Sequence, residues 1–187
     1  RLQTRHETSR ITLATVDSRE NDPVAEIGNK CGIKVVRGPE ENVLERVSLA
    51  VKGEDAAYIG RVTADNPFTD PELFMLQWEE MKSIKADYSY CKESPKGTSI
   101  DLWTIKCFQE TVEKASTPYE QEHINAWVWE HLKLYNILWF KPPNNFINQK
   151  LKLSIDSEAD FVDVEKYTTY FENPLMVDIY DFCNFLK

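Results

Sequence analysis

The stretch Arg61-Val62-Thr63-Ala64-Asp65-Asn66-Pro67 places a cation, a hydroxyl and a carboxylate at the end of a β-branched run, just before a proline turn. A carboxylate there can hold a magnesium ion through one or two oxygens, leaving water and phosphate as the other ligands. Asp65 or Asn66 can equally do no more than order the turn before Pro67, as Asx residues do. Asp156 presents the same choice. It ends a second run of alternating residues, where Asp156 or Ser157 can cap the following helix. It is also the second carboxylate that a phosphate-bound metal calls for. Glu120-Gln121-Glu122-His123 is a polar cluster at a helix start, where acids suit the positive helix end. His123 there reads either as a surface histidine or as a group facing substrate.

These residues need elements to position them. Ile11 to Val16 reads as a strand closed by Asp17-Ser18, and Asp22-Pro23 as the cap and first position of a helix that stops at Cys31-Gly32. Ile33 to Val36 is a second strand, ending at Arg37-Gly38-Pro39. Glu40 to Val51 is a helix with Val43, Leu44, Val47, Ala50 and Val51 on one face. Ala56 to Val62 is a third strand, and Asp70-Pro71 opens a helix with Leu73, Leu76 and Met81 inward. Strand alternating with helix at this spacing argues for a parallel sheet with crossover helices.

Beyond Lys85 the pattern changes. Ala86 to Cys91 and Ser99 to Ile105 read as strands flanking Glu93-Ser94-Pro95-Lys96-Gly97, a hairpin-like excursion that forms either a dimer arm or a hairpin folded on its own domain. Helices follow over Phe108–Ala115 and Tyr119–His131, then a strand over Lys150–Ile155. The next helix carries Phe161, Val164, Thr168 and Phe171, and a final one covers Met176–Leu186. Trp127, Trp129 and Trp139 read as core. The whole, residues 1–187, reads as one α/β domain with an antiparallel insertion over 86–105. In open α/β sheets ligands bind beyond the carboxyl ends of the strands, which selects Asp17, Arg37, Arg61 to Asn66 and Asp156.

Composition narrows the function classes. The 187 residues carry 31 Asp and Glu against 22 Lys and Arg, a net charge of −9, which argues against a phosphate-backbone binder that needs clustered cations. Five Trp, eight Tyr and nine Phe spread along the chain supply a core and argue against disorder. No apolar run reaches the length of about 18 residues that a membrane span needs. Cys31, Cys91, Cys107 and Cys183 form no C-x-x-C pair, so they read as dispersed buried thiols rather than a zinc or redox site. His6, His123 and His131 are too scattered for a histidine cluster. With no signal-peptide pattern, a cytoplasmic location is the expectation.

Taken in order, several segments resemble a known family. Asp17-Ser18-Arg19-Glu20-Asn21-Asp22-Pro23, Arg37-Gly38-Pro39-Glu40-Glu41-Asn42-Val43-Leu44-Glu45-Arg46 and Arg61 through Pro71 come first. Tyr119 through Asn125 and Leu153 through Asp160 follow. Together they resemble the cytidylyltransferases of surface polysaccharide synthesis, in particular the SpsF-like spore coat group. The resemblance covers nearly the whole chain and implies a three-layer α/β/α nucleotide-diphospho-sugar transferase fold. It implies transfer of CMP from CTP to a sugar or sugar acid, with release of pyrophosphate. The metal aspartates map to Asp65 and Asp156 with Mg2+ or Mn2+, and Arg61 joins Asp65 as a catalytic candidate. Asp17, Asn42, Val43 and Leu44 are the nucleotide candidates, and Glu122 with His123 the sugar candidates. The family's glycine- and arginine-containing triphosphate loop has no counterpart here; Arg1-Leu2-Gln3 resembles the end of the helix that follows it. A non-catalytic interaction subunit and a nucleotide-sugar-dependent glycosyltransferase are the competing expectations. CTP and a small sugar are the expected partners, with a homodimer through the 86–105 segment but no nucleic acid and no membrane.

Overall fold

The computed structural model describes residues 1–4, 10–144, 147 and 151–171. The expected helix over Met176–Leu186, together with His6, Lys150 and Cys183, lies outside these residues. The chain divides into two units, one of Arg1–Arg5, Gly60–Leu102 and Ile137–Lys187, the other of His6–Ile59 and Trp103–Asn136.

In the second unit β1 (Thr12–Val16) and β2 (Lys34–Gly38) pair in parallel, Thr12 opposite Lys34 and Val16 opposite Gly38. The crossover is α1 (Asp22–Lys30), and α2 (Val43–Val51) follows β2. A Cβ on Gly28 would lie 2.7 Å from Val35 and 2.8 Å from Leu13, so only glycine lets α1 approach the sheet this closely. The expected N-cap of α1 moves by one residue. Asn21 takes that position without a side-chain cap bond, and Asp22, already helical, pairs with Arg37 instead. The remaining helices of this unit are α4 (Ile105–Lys114), α5 (Pro118–Glu122) and α6 (Ala126–Glu130). The single helix expected over Tyr119–His131 is broken, because His123 takes φ −97° and ψ 83° between α5 and α6. Trp103, Phe108, Ile124 and Val128 are buried here.

The first unit is built on a four-stranded sheet in the order β3 (Tyr58–Arg61), β5 (Asp101–Thr104), β4 (Tyr88–Cys91), β6 (Ile137–Phe140); the chain passes from one unit to the other within β3 and β5. β4 and β6 run parallel, Tyr88 opposite Ile137. The sheet thus differs from the expectation in two ways. β1 and β2 form a sheet of their own. The strands of the 86–105 segment, β5 and β4, are neighbours in the middle of the second sheet.

The helix α3 (Pro71–Ser83) begins where its sequence says it should. Asp70 Oδ1 accepts from the backbone N–H groups of Glu72 and Leu73, at 2.9 and 3.0 Å, and Pro71 needs no donor. Leu73 and Met81 are buried, but Leu76 is 41% exposed. The inward position beside them goes to Gln77, whose Nε2 donates to Ser89 Oγ and to the Ile100 carbonyl, each at 3.0 Å. A buried amide so bonded ties the helix to β4 and to the approach of β5. Trp139, expected in the core, is 46% exposed on the edge strand β6 and lies against Lys92. The run expected as a strand before Asp156 makes a single parallel bridge, Lys96 with Lys152. Then α7 (Glu158–Thr169) starts, with Val164 buried and Phe161 exposed. Cys91 and Cys107 are buried as expected, but Cys31 is exposed, because it lies at the solvent-facing end of α1 rather than in the core. Burial pushes the Cys91 thiol up and keeps it protonated.

Candidate active site

Three segments of the first unit meet through their backbones. The Ile155 N–H donates to the Asp65 carbonyl at 2.8 Å. Leu153 N–H donates to the Lys96 carbonyl at 2.7 Å, and Lys96 N–H to the Leu151 carbonyl at 3.1 Å. Gly97 makes this approach feasible. Its φ is +92°, and a Cβ there would lie 2.5 Å from the Ser154 nitrogen. The turn after β3, the loop after β4 and the lead into α7 are therefore held in fixed relation.

The turn after β3 is ordered by Asn66, not by Asp65. Asn66 Nδ2 donates to Thr63 Oγ1 at 2.8 Å, and its carbonyl accepts from Thr69 Oγ1 at 3.0 Å. The Asp65 carboxylate is exposed and takes no hydrogen bond or ion pair among the described residues. Turn-bracing thus explains Asn66 and leaves the charge of Asp65 unused. Arg61, the last residue of β3, is half-buried and likewise unpaired among the described residues.

Asp156 does not cap α7 either; that role belongs to Ser157, whose Oγ accepts from the Asp160 N–H at 3.3 Å. Asp156 Oδ2 instead accepts from Lys96 Nζ at 2.6 Å and lies 3.0 Å from Lys152 Nζ. Lys152 also donates to Asp160 Oδ2 at 2.6 Å. The Lys96 bond, then the Lys152 bond, holds the Asp156 carboxyl below its ordinary range. Lys152, aided by Ser157, brings Asp160 down to about 2. The bonds to Asp160 and Asp156 in turn push Lys152 up. Neither lysine was legible as a site residue: Lys96 sits in a turn and Lys152 in an alternating run, with no period linking them.

Among the described residues no group of three or more His, Cys, Asp or Glu could hold a metal by itself. An ion such as magnesium does not need one, since it keeps waters and uses one or two carboxylates plus substrate phosphates. Asp65, with its unengaged carboxylate, and Asp156, whose preceding residue is bonded to the Asp65 carbonyl, are the hard oxygen donors that would hold such an ion together with phosphate.

In the second unit the Asp17 carboxylate stands 3.9 Å from Arg37, and the Asp17 N–H donates to the Gly38 carbonyl at 2.9 Å. Arg37 also pairs with Asp22 at 2.5 Å and donates to the Ser18 carbonyl at 3.2 Å. It therefore pins the loop after β1 to the end of β2. Asn42 caps α2, its Oδ1 accepting from Glu45 N–H at 2.8 Å. Val43 is half-buried. The Leu44 side chain is buried at 3% exposure, so of the three nucleotide candidates after Glu41 it is a core residue. Glu122 and His123 are exposed at the α5–α6 break, with the His123 ring 4.6 Å from that of Tyr119. Glu120 faces inward: its Oε2 accepts from the N–H groups of Ser116 and Thr117 and from the Thr117 hydroxyl, at 2.8 to 2.9 Å. The backbone bonds from Thr117 and Ser116 hold its carboxyl below the usual value.

The chain is 30% identical over 176 residues to an uncharacterized protein of Methanocaldococcus jannaschii, covering 94% of this chain and 72% of that one. It is 27% identical over 164 residues to the spore coat polysaccharide biosynthesis protein SpsF of Bacillus subtilis, covering 83% of this chain and 65% of SpsF. The fold matches the solved structure of a cytidylyltransferase from Leptospira borgpetersenii with a TM-score of 0.87 at 22% identity, over 94% of this chain and 74% of that one. A family model described as cytidylyltransferase matches residues 2–181, and the chain belongs to the cytidylyltransferase family.

Proposed function

We propose that this protein transfers CMP from CTP to a hydroxyl of a sugar or sugar acid, with a divalent ion, in the synthesis of polysaccharide or glycan precursors. One observation carries the reading: both aspartates are relieved of the structural duties their positions suggest, Asn66 ordering the turn and Ser157 capping α7. In the proposed reaction the sugar oxygen attacks the α-phosphorus in line, a new O–P bond forms, and the bond to the β-phosphate oxygen breaks to release pyrophosphate. Asp65 and Asp156 would hold Mg2+ or Mn2+, which when bound supplies charge neutralisation for the triphosphate. Arg61 would add a fixed positive charge beside the phosphates. In this reading Asp17, Asn42, Val43 and Leu44 would serve the nucleotide, and Glu122 with His123 the sugar, as the family resemblance implies. For Leu44 the role falls to its backbone. With CTP as substrate the expected compartment is the cytoplasm; among the described residues no helix is long and apolar enough to cross a membrane.

The test is incubation with CTP, magnesium and a panel of sugars and sugar acids. Pyrophosphate and a CMP-sugar are the expected products. Consumption of a preformed nucleotide-sugar without pyrophosphate would make the protein a glycosyltransferase, and no turnover with any acceptor would favour a non-catalytic role.

A further inference from the structure

The engagement of Asp156 has a consequence for how an ion could reach it. Lys96 and Lys152 both place their ammonium groups on the same oxygen, Oδ2. The pair is not an accident of two mobile side chains. Lys96 and Lys152 are partners in a parallel bridge, flanked by the Lys96 N–H to Leu151 and Leu153 N–H to Lys96 carbonyl bonds, so their backbones are in register beside Asp156. Lys152 divides its charge between Asp156 and Asp160, whereas among the described residues Lys96 has Asp156 as its partner.

We infer that Lys96 and Lys152 are built-in counter-ions of Asp156, which an incoming divalent ion must displace, and that the triphosphate arriving with the ion receives the released ammonium groups. This rests on the metal reading of Asp65 and Asp156. The physical reason is charge. Two ammonium groups balance Asp156 and Asp160 locally, so a bare dication meets repulsion at a range of about 4 to 6 Å and gains only what it takes from Lys96 and Lys152. A dication accompanied by phosphate oxygens restores a charge-assisted partner to each lysine. Metal and nucleotide then bind cooperatively, and linkage makes the coupling reciprocal. Lys96, with no second carboxylate among the described residues, is the group that changes partner most readily. It acts as a positioning residue.

The experiment uses Mn2+ and CTP without a sugar acceptor, so no turnover is involved. Mn2+ alone is titrated by electron paramagnetic resonance; CTP alone and preformed Mn·CTP are titrated by calorimetry. The parent protein should bind Mn·CTP at least about tenfold better than its separate affinities for Mn2+ and for CTP imply, within the usual range of coupling. In Lys96→Met, Mn2+ alone should bind several-fold tighter than in the parent, and the coupling should shrink. Lys152→Met should shift both in the same direction by less, because Asp160 shares that lysine. Lys96→Gln repeats the test with a polar side chain, and circular dichroism melts confirm folding of every variant. If both lysine variants keep the parent's values while Asp65→Asn loses Mn·CTP, the metal reading stands and the counter-ion inference falls. If the parent takes up no Mn2+ with or without CTP, or Asp65→Asn and Asp156→Asn bind as the parent does, both fall together.

Discussion

At the scale of single residues, the site depends on one glycine that does no chemistry. Gly97 combines a φ of +92° with a backbone approach so close that an added Cβ would stand 2.5 Å from the Ser154 nitrogen. Gly97→Ala must either strain its own backbone or push the 151–156 segment away. The expected cost is about 1–3 kcal/mol, measured by urea denaturation, with a matching loss of CTP binding in the presence of Mn2+. A variant as stable as the parent would show that the segments are not held together here. The sequence displays Gly97 as a turn residue but not its partner, since Ser154 lies far along the chain and nothing local connects them. The same holds for Asp65 and Asn66. Both suit a turn before Pro67, and only the bond from Asn66 Nδ2 to Thr63 Oγ1 shows which one performs it.

Elements were legible where their signals are local. Asp70-Pro71 starts α3 through bonds within three residues, and Ser157 starts α7 likewise. The break between α5 and α6 was not legible, because no Gly or Pro separates Tyr119–Glu122 from the helically spaced Ile124, Trp127, Val128 and His131. What sets α5 apart is a capping box at its start, in which Thr117 and Glu120 satisfy each other's backbone donors. This gives α5 a pH dependence. Glu120 is held below the ordinary carboxyl value, so its contribution is present above the unfolded value of about 4.3 and is lost as pH falls through the folded value. Glu120→Gln, which keeps the box but removes the charge at the helix start, should cost about 0.3–1 kcal/mol at neutral pH. Thermal melts of parent and variant, compared from about pH 6 downward, should converge in acid. A stability gap that stays constant to about pH 2 would contradict this account of the cap.

At the scale of the whole chain, strand–helix alternation was enough to identify an α/β fold, and the ordered segments enough to identify the family. Sheet order was not, because β4 and β5 are short and their neighbours are set by pairing across long sequence separations. The two aspartates were singled out from their expected strand-end positions; the lysines that engage Asp156 are visible only in three dimensions. The central claim is that Asp65 and Asp156 serve an ion and a nucleotide rather than the fold. It is tested by measuring magnesium-dependent pyrophosphate release from CTP, with the acceptor the panel identifies, alongside thermal midpoints for the parent, Asp65→Asn and Asp156→Asn. The account predicts a rate loss of at least about a hundredfold in each variant, equivalent to about 2.7 kcal/mol of transition-state stabilisation, with midpoints within a few degrees of the parent. Parent-like turnover and metal dependence in both variants would contradict it.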